Sequence, residues 1–169
     1  MLTQAQQRYI QTIPEEKTVK IYPYDPKLKD IAEEFIQKAH LGDPNLEVLF
    51  MGASGLGISG QGDIDLYALN PTRDLNKYSL RLTEQFGEPK SKSQTSIAWE
   101  FESEGHGVEF YLTDPNSPEM QEQIKIFKML KDNPELLKEY EQLKQECDGL
   151  PFREYQRRKY EFYNKILEK

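Results

Sequence analysis

The sequence has a single cysteine and no long hydrophobic run, and both absences limit what the protein can be. Because Cys147 has no partner cysteine in the chain, no intramolecular disulfide can form, and we expect a reducing compartment. No stretch approaches the ~20 apolar residues of a transmembrane helix, and the N-terminus lacks the basic start and apolar core of a secretory signal. We therefore expect a cytoplasmic protein with no membrane partner.

Basic residues are also fewer than acidic ones. The chain carries 29 acidic and 22 basic side chains, for a formal net charge of −7 at pH 7. Affinity for the phosphate backbone depends on Lys and Arg displacing counterions, so this balance argues against general nucleic-acid binding. A small anionic ligand is still compatible with it, because local charge need not follow net charge.

The length and composition describe a folded protein of modest size. A chain of 169 residues is long enough to bury a core. Hydrophobic residues make up 37% and charged residues 30%, which is typical of a globular domain with a solvated surface. We expect an α/β core with an N-terminal helix over residues 1–117 and a helical appendage over residues 118–169.

Hydrophobic periodicity predicts the order of the elements. Apolar spacings of three and four residues indicate helices, whereas alternation and short apolar runs bounded by glycine or proline indicate strands. The predicted helices cover residues 2–13, 27–39, 73–86, 118–131, 134–146 and 151–167, and the predicted strands cover 18–24, 47–51, 63–69, 96–101 and 108–112. The run at 47–51 is apolar on both faces and predicts a central strand. The predicted fold class is α+β, a mixed sheet flanked by helices with a C-terminal helical subdomain.

A glycine-rich segment follows the predicted strand at 47–51. Five glycines lie between residues 52 and 62, and glycine lets successive backbone N–H groups converge into an anion-binding nest. A helix that begins here would add its positive end. The residues expected to bind nucleotide phosphates are Gly52, Ala53, Ser54 and Gly55.

Two aspartates come directly after this segment. Asp63 and Asp65 are two residues apart on a predicted strand, so their side chains share one face while Ile64 and Leu66 point to the core. Neighbouring carboxylates repel one another unless a cation such as Mg²⁺ or Mn²⁺ neutralises them, and Mg²⁺ leaves coordination sites for water and substrate phosphate. The alternative is an acidic edge strand after a flexible loop.

Glu109 is a third candidate ligand. It alternates with the hydrophobic residues Val108 and Phe110, so its carboxylate lies on the opposite face of the strand and could meet the aspartates across the sheet. The alternative is a solvated strand residue beside Glu100 and Glu102. The expected metal-binding and catalytic set is therefore Asp63, Asp65 and Glu109.

The segment 52–66 resembles the signature of the nucleotidyltransferase superfamily that includes DNA polymerase beta, in which a Gly-Ser pair opens a helix and an Asp-x-Asp strand follows. The resemblance narrows to the GrpB family through further stretches. These are residues 19–26, residues 127–134, Tyr140, residues 143–144, Tyr155 and Lys159.

The GrpB resemblance implies a nucleotidyltransferase fold with a helical appendage, covering nearly the whole chain. It does not by itself imply a reaction. The acidic residues and the glycine-rich turn favour a metal-dependent transfer of a nucleoside monophosphate from a nucleoside triphosphate to an unidentified small acceptor. The GrpB resemblance also singles out basic and aromatic residues of the C-terminal helices as nucleotide contacts. Those residues are Lys128, Lys144, Tyr155 and Lys159.

The chain departs from the resembled pattern at two places. Ala53 stands where the superfamily serine directly follows the glycine, and Ser54 comes one position later. Gly62-Asp63 stands where typical GrpB members have a Lys-Pro pair before their aspartate, which restores the two-aspartate pattern of catalytic superfamily members. Two other functions stay open: a nucleotide-binding or regulatory module that has lost transfer, and a protein-interaction module built on the C-terminal helices.

Overall fold

The structure, a computed structural model, describes residues 1–168 and is built on one mixed β-sheet. Its strands are β1 (Val48–Met51), β2 (Ile64–Leu69), β3 (Ser91–Lys92), β4 (Ser96–Ser103) and β5 (His106–Thr113). They lie in the order β1-β2-β5-β4-β3. Strands β2 and β5 are parallel, and every other neighbouring pair is antiparallel.

Helices make up most of the remaining described chain. They are α1 (Gln4–Thr12), α2 (Lys27–Gly42), α3 (Gly52–Leu56), α4 (Leu75–Phe86), α5 (Pro118–Asp132), α6 (Pro134–Glu146) and α7 (Phe152–Leu167), with a 3₁₀ turn at Thr72–Asp74 before α4. The predicted α+β class, a mixed sheet flanked by helices and followed by C-terminal helices, is confirmed. None of the described helices has the length and hydrophobicity to cross a bilayer.

The main core lies between the sheet and helices α2 and α4. Alternate residues of β2, β5 and β4 point into it and are almost fully buried: Ile64, Leu66, Ala68, Val108, Phe110, Leu112, Ile97 and Trp99. Helix α2 contributes Leu28, Ile31 and Ala32, and α4 contributes Leu82 and Phe86. The Trp99 indole N–H donates to the Gly87 carbonyl at 2.8 Å, so its one polar atom is satisfied inside this core.

Local sequence signals explain where the C-terminal helices begin. Pro118 and Pro134 occupy the first turns of α5 and α6, where proline costs no helical hydrogen bond. The side chains of Ser117 and Asn133 precede them and accept hydrogen bonds from backbone N–H groups of the first turn.

Two sequence predictions about strands were wrong. Residues 18–24 form no strand; the segment makes only isolated bridges, Thr18 with Pro151 and Tyr22 with Gly60. Its alternation of apolar residues comes from Val19 and Ile21 packing against the C-terminal helices. Strand β1 is an edge strand, not a central one. Its Val48 and Phe50 pack against the main core, and the short helix α3 contacts the strand.

The C-terminal helices pack on the core through two smaller clusters. Val19 and Ile21 join Cys147 and Tyr155 in one cluster. In the other, Ile58 of the glycine-rich segment packs with residues of α5, α6 and α7. The backbone of the segment is held as well, because the Ser59 N–H and hydroxyl both donate to the Glu141 carboxylate at 2.8 Å. The division at residue 117 stays a prediction.

Candidate active site

Asp65 and Glu109 are neighbours in the central parallel pair of strands. They are opposite each other in the register of β2 and β5 and lie on the face of the sheet that turns away from the main core. Their carboxyl groups are within hydrogen-bonding reach of each other. The prediction that Glu109 could meet the aspartates across the sheet therefore has a geometric basis in Asp65.

The environment of Asp65 favours its protonated form. Burial, together with the nearby charges of Asp63 and Glu109, raises its pKa to about 8, against the opposing effect of Lys159. A carboxyl whose pKa lies above neutrality shares a proton with its neighbour in the absence of a cation. A bound cation would replace that proton.

The Asp65 carboxylate also lies directly against the glycine-rich turn. A Cβ on Gly52 would come within 2.2 Å of Asp65 Oδ2, and Gly52 has a φ of +68°. Both observations require glycine here, since other residues are strained at positive φ and would displace the carboxylate. The predicted neighbourhood of the acidic strand and the turn thus exists at Asp65 and Gly52.

Ala53 and Ser54, where the chain departs from the superfamily pattern, both have side chains that point into the protein. The Ser54 hydroxyl, which is buried, donates to the Asp63 carbonyl oxygen. The Ala53 methyl group faces Gly60, where a Cβ would lie only 2.6 Å away. Ser54 therefore joins the start of α3 to the start of the acidic strand, and its hydroxyl is already used.

Lys144 is a buried lysine among tyrosines. Its ammonium group donates to the Tyr155 hydroxyl at 2.7 Å and lies 5.1 Å from the centroid of the Tyr140 ring. Burial and, to a smaller extent, the positive charge of Lys159 lower the pKa of Lys144 to about 7, against the opposite effect of Asp63 and Asp65.

Lys159 is the second cation beside the carboxylates. Burial by itself would lower its pKa, but Tyr163, Tyr155 and the Asp65 carboxylate together raise it above the ordinary lysine value. Its Nζ lies 5.6 Å from the centroid of the Tyr163 ring. A lysine that stays charged near two carboxylates provides positive charge on an otherwise acidic site.

The predicted C-terminal contacts thus divide into two groups. Lys144, Tyr155 and Lys159 lie together and interact electrostatically with Asp65 or Asp63. Lys128 is exposed on α5, and in the part of the chain that the structure describes it has no hydrogen bond or ion pair.

The chemistry of the carboxylates fits a hard divalent cation. Among residues 1–168 no three His, Cys, Asp or Glu side chains converge closely enough to bind a metal by themselves. Asp65 and Glu109 supply two carboxylates at one point, with Asp63 near enough to raise the Asp65 pKa. Mg²⁺ commonly takes one or two carboxylates and completes its shell with water and substrate phosphate, so this donor set suits it.

Two tyrosines next to the carboxylates were missed by the sequence analysis. Tyr67 and Tyr111 are stacked on the same face as Asp65 and Glu109, with ring centroids 4.9 Å apart. The Tyr111 hydroxyl donates to Glu109 Oε2 at 2.7 Å. The sequence spacing could have predicted them, because each tyrosine follows a candidate metal ligand by two residues on a strand and therefore lies on the same face of the sheet.

Comparison with known proteins identifies the family. The family model described as GrpB protein matches residues 56–169, which is more than half of the chain. The chain belongs to the GrpB family. The predicted GrpB membership is confirmed. None of the curated proteins compared with this GrpB chain matches it.

Some solved structures resemble this GrpB protein at low identity. One is Cid1, described as having RNA terminal uridylyl transferase activity, at 16% identity and a TM-score of 0.46, covering 74% of this chain and 44% of Cid1. Another is the STING-associated CdnE c-di-GMP synthase from Capnocytophaga granulosa, at 19% identity and a TM-score of 0.38, covering 55% of this chain and 35% of that one. The GrpB chain matches less than half the length of either.

Proposed function

We propose that this GrpB protein is a metal-dependent nucleotidyltransferase that moves a nucleoside monophosphate from a nucleoside triphosphate to a small acceptor. The observation that carries the proposal is the carboxyl pair of Asp65 and Glu109, held side by side on parallel strands with the Asp65 pKa raised to about 8. A pair that is this unfavourable without a counterion is typical of sites that bind a cation in their working state.

The carboxylates would hold Mg²⁺ or Mn²⁺, with Asp63 joining Asp65 and Glu109 when the nucleotide is bound. The metal would stabilise the negative charge that develops on the transferred phosphoryl group. An acceptor hydroxyl attacks the α-phosphorus, the bond from that phosphorus to the oxygen bridging the β-phosphorus breaks, and pyrophosphate leaves. The acceptor proton passes to one of the acidic side chains.

Positive charge from α6 and α7 suits the polyphosphate. Lys159 is charged and close to Asp65, so it can neutralise phosphate oxygens next to the metal. Lys144 has a pKa of about 7, and an adjacent phosphate would favour its charged form. Tyr155 fixes the Lys144 ammonium group through their 2.7 Å hydrogen bond.

The glycine-rich turn is proposed to contact the phosphates through its backbone. Since the Ser54 hydroxyl is bonded to the Asp63 carbonyl, main-chain N–H groups of residues 52–55 are the donors that a nucleotide could use. The substitution of alanine for the superfamily serine at position 53 removes a hydroxyl without removing these N–H groups.

Replacement of Asp65 by asparagine tests the proposal. Asp65→Asn keeps the shape of the side chain and removes its charge, so we expect loss of metal-dependent nucleotide binding and of pyrophosphate release. Binding is measured by calorimetry with a non-hydrolysable nucleoside triphosphate analogue and Mn²⁺. Asp30→Asn is the matched control, because Asp30 is exposed on α2 and faces away from the site.

The proposal fails if Asp65→Asn retains turnover, or if the unsubstituted protein binds no nucleoside triphosphate in the presence of Mn²⁺. Both variants must first give the same unfolding midpoint within a few degrees, so that lost binding is not confused with lost structure.

A nucleotide-binding module that has lost transfer is the second candidate. Two observations favour it: the engaged hydroxyl of Ser54 and the lack of a three-ligand metal cluster among the described residues. This candidate predicts nucleotide binding that depends on Asp65 but releases no pyrophosphate with any acceptor tested. Pyrophosphate release therefore separates the two functions.

A further inference from the structure

A cavity of about 290 Å³ opens on the same face of the sheet, next to the carboxyl pair. Its wall is formed by the C-terminal halves of β2 and β5 and the beginning of β4 on one side, and by the beginning of α5 on the other. The volume is at the lower end of the roughly 300–1,000 Å³ that small-molecule sites occupy. A compact ligand of about one ring therefore fits it.

The stacked rings of Tyr67 and Tyr111 line this cavity. They are nearly parallel, at an interplanar angle of 13°. The hydroxyl of Tyr111 donates to Glu109 at 2.7 Å, so one side chain belongs to both the cavity wall and the carboxylate site. Along a strand, residues two apart are separated by roughly 7 Å, which places the cavity one side chain beyond the proposed reaction centre.

The remaining wall is rich in neutral hydrogen-bonding groups. Ser96, Thr113, Ser117 and Gln123 supply hydroxyl and amide groups, and Glu119 is the single charged residue that lines the cavity within the described chain. Within residues 1–168, no lysine or arginine lines it.

These features select one class of ligand. The apolar C–H face of a sugar-like ring stacks on aromatic side chains, and its hydroxyls pair with serine, threonine and amide groups. A phosphate group here would be repelled by the Glu119 carboxylate, and no basic side chain among residues 1–168 lines the cavity to offset the repulsion. An amino substituent would be attracted by Glu119.

We propose that this cavity is the acceptor subsite and that the acceptor is a small polyhydroxylated ring without a phosphate group. The inference rests on the proposed nucleotidyl transfer. A ring hydroxyl next to Glu109 gives its proton to a carboxylate and forms the new bond to the α-phosphorus, while the bond to the pyrophosphate leaving group breaks. The product is a nucleoside monophosphate ester of the ring, with pyrophosphate released.

Ligand-observed NMR with three defined probes tests the class of ligand. The probes are methyl α-glucoside, glucosamine and glucose 6-phosphate, each added to the full chain with Mn²⁺ omitted. Saturation-transfer signals are expected for methyl α-glucoside and at least as strongly for glucosamine, and none for glucose 6-phosphate. Absence of signal for both unphosphorylated rings, or equal signal for the phosphate, overturns the inference.

Ser96→Phe tests whether binding occurs in this cavity. Ser96 is half-buried at the beginning of β4, so the larger side chain fills the cavity from there and is expected to abolish the signals. Gln94→Phe is the matched control, because Gln94 is exposed and does not line the cavity. Signals that persist in a folded Ser96→Phe variant place the ring elsewhere and overturn the inference.

Gln123→Lys gives a gain-of-binding test at an exposed position, where folding is not at risk. The new cation on the wall is expected to bring the glucose 6-phosphate signal to within about twofold of the methyl α-glucoside signal. Gln121→Lys is the control, because it lies on α5 outside the cavity. An unchanged phosphate signal in Gln123→Lys contradicts the placement.

Adding Mn²⁺ with the nucleotide analogue separates failure of this inference from failure of the proposed function. If the subsite adjoins the carboxyl pair, the paramagnetic ion broadens the bound-ring signals in the unsubstituted protein and not in Asp65→Asn. Nucleotide binding without ring binding overturns the subsite alone. Ring binding without nucleotide binding overturns the transfer function and the acceptor role together.

Discussion

The two faces of one sheet have opposite compositions in this protein. Towards α2 and α4, strands β2 and β5 present Leu66, Phe110 and other residues that are almost fully buried. Towards α5 and α7, the same strands present Asp65, Glu109 and the stacked tyrosines. Because strand residues alternate between faces, the stable core and the chemically demanding site are separated by single residues along the chain.

The apolar face of the sheet contributes the folding free energy that offsets the cost of the buried charged groups on the other face. A buried carboxyl with a raised pKa and a buried lysine with a lowered pKa both cost folding free energy. They persist because the core on the other face keeps their strands and helices in place.

Removing a large side chain from the apolar face gives the largest expected effect. Phe110 is fully buried and packs against Phe86 and Trp99, so Phe110→Ala should lower the free energy of unfolding by about 3–5 kcal/mol. Urea denaturation measures the loss. Tyr111→Ala, one residue away on the half-buried face, should lower the free energy of unfolding clearly less. An equal or greater loss would contradict the assignment of the stable core to the apolar face.

Lys144 tests the cost of the charges on the opposite side. Its pKa is about 7 in the folded protein and 10.5 as the reference for the unfolded chain. Between these values the unfolded chain binds more protons, so this lysine makes the folded state more stable as pH rises. We expect the stability of the unsubstituted protein relative to Lys144→Met to increase by about 1 kcal/mol per pH unit between pH 7.5 and 9.5.

Urea denaturation of both proteins across this window measures the slope, and the comparison between them cancels the titration of groups that do not interact with Lys144. Lys138→Met is the control, since Lys138 is exposed on α6 and should give no slope. A slope of zero for Lys144→Met relative to the unsubstituted protein contradicts the assignment.

Two glycines with the same backbone conformation differ in their contact with the carboxylate face of the sheet. Gly52 and Gly57 have φ values of +68° and +70°, but a Cβ on Gly52 would collide with Asp65 whereas a Cβ on Gly57 has nothing within 4 Å. Both alanine variants should lose about 1–3 kcal/mol from backbone strain. Only Gly52→Ala should also weaken Mn²⁺-dependent nucleotide binding, as measured by calorimetry. Equal nucleotide binding by both variants would contradict the contact between Asp65 and the glycine-rich turn.

The smallest effect is expected at the hydroxyl groups of the stacked tyrosines. Tyr111→Phe removes the hydrogen bond to Glu109 and should cost about 1–2 kcal/mol of unfolding free energy. Tyr67→Phe is the matched variant, because no hydrogen bond of the Tyr67 hydroxyl is found in residues 1–168, and it should cost less. Thermal unfolding at pH 7 measures both, and a larger loss for Tyr67→Phe would refute the assigned bond.

Much of the fold followed from local patterns. Pro118 and Pro134 predicted the starts of α5 and α6, alternation identified β2 and β5 with their inward faces, and a β-rich run predicted β4. The same alternation put Asp63 and Asp65 on one face and Glu109 on the face opposite Phe110. The two-residue strand β3 was not predicted, because two residues cannot show a period.

Long-range relations were less predictable. The alternation at residues 18–24 suggested a strand, yet those apolar residues pack on the C-terminal helices. The apolar run of β1 suggested a central strand, yet it lies at an edge. Periodicity reports that a side chain is buried and not which element covers it.

By itself the sequence determined which residues alternate, where helices begin, and that two carboxylates follow a glycine-rich turn. The tertiary structure was needed to place Glu109 beside Asp65, to bring Lys144 and Lys159 towards Asp65 from helices about 80 or more residues later in the chain, and to join the site to a cavity through Tyr111. Local patterns arise from steric and hydrophobic preferences of adjacent residues, whereas the pKa of Asp65 depends on the burial and charges that distant segments bring together.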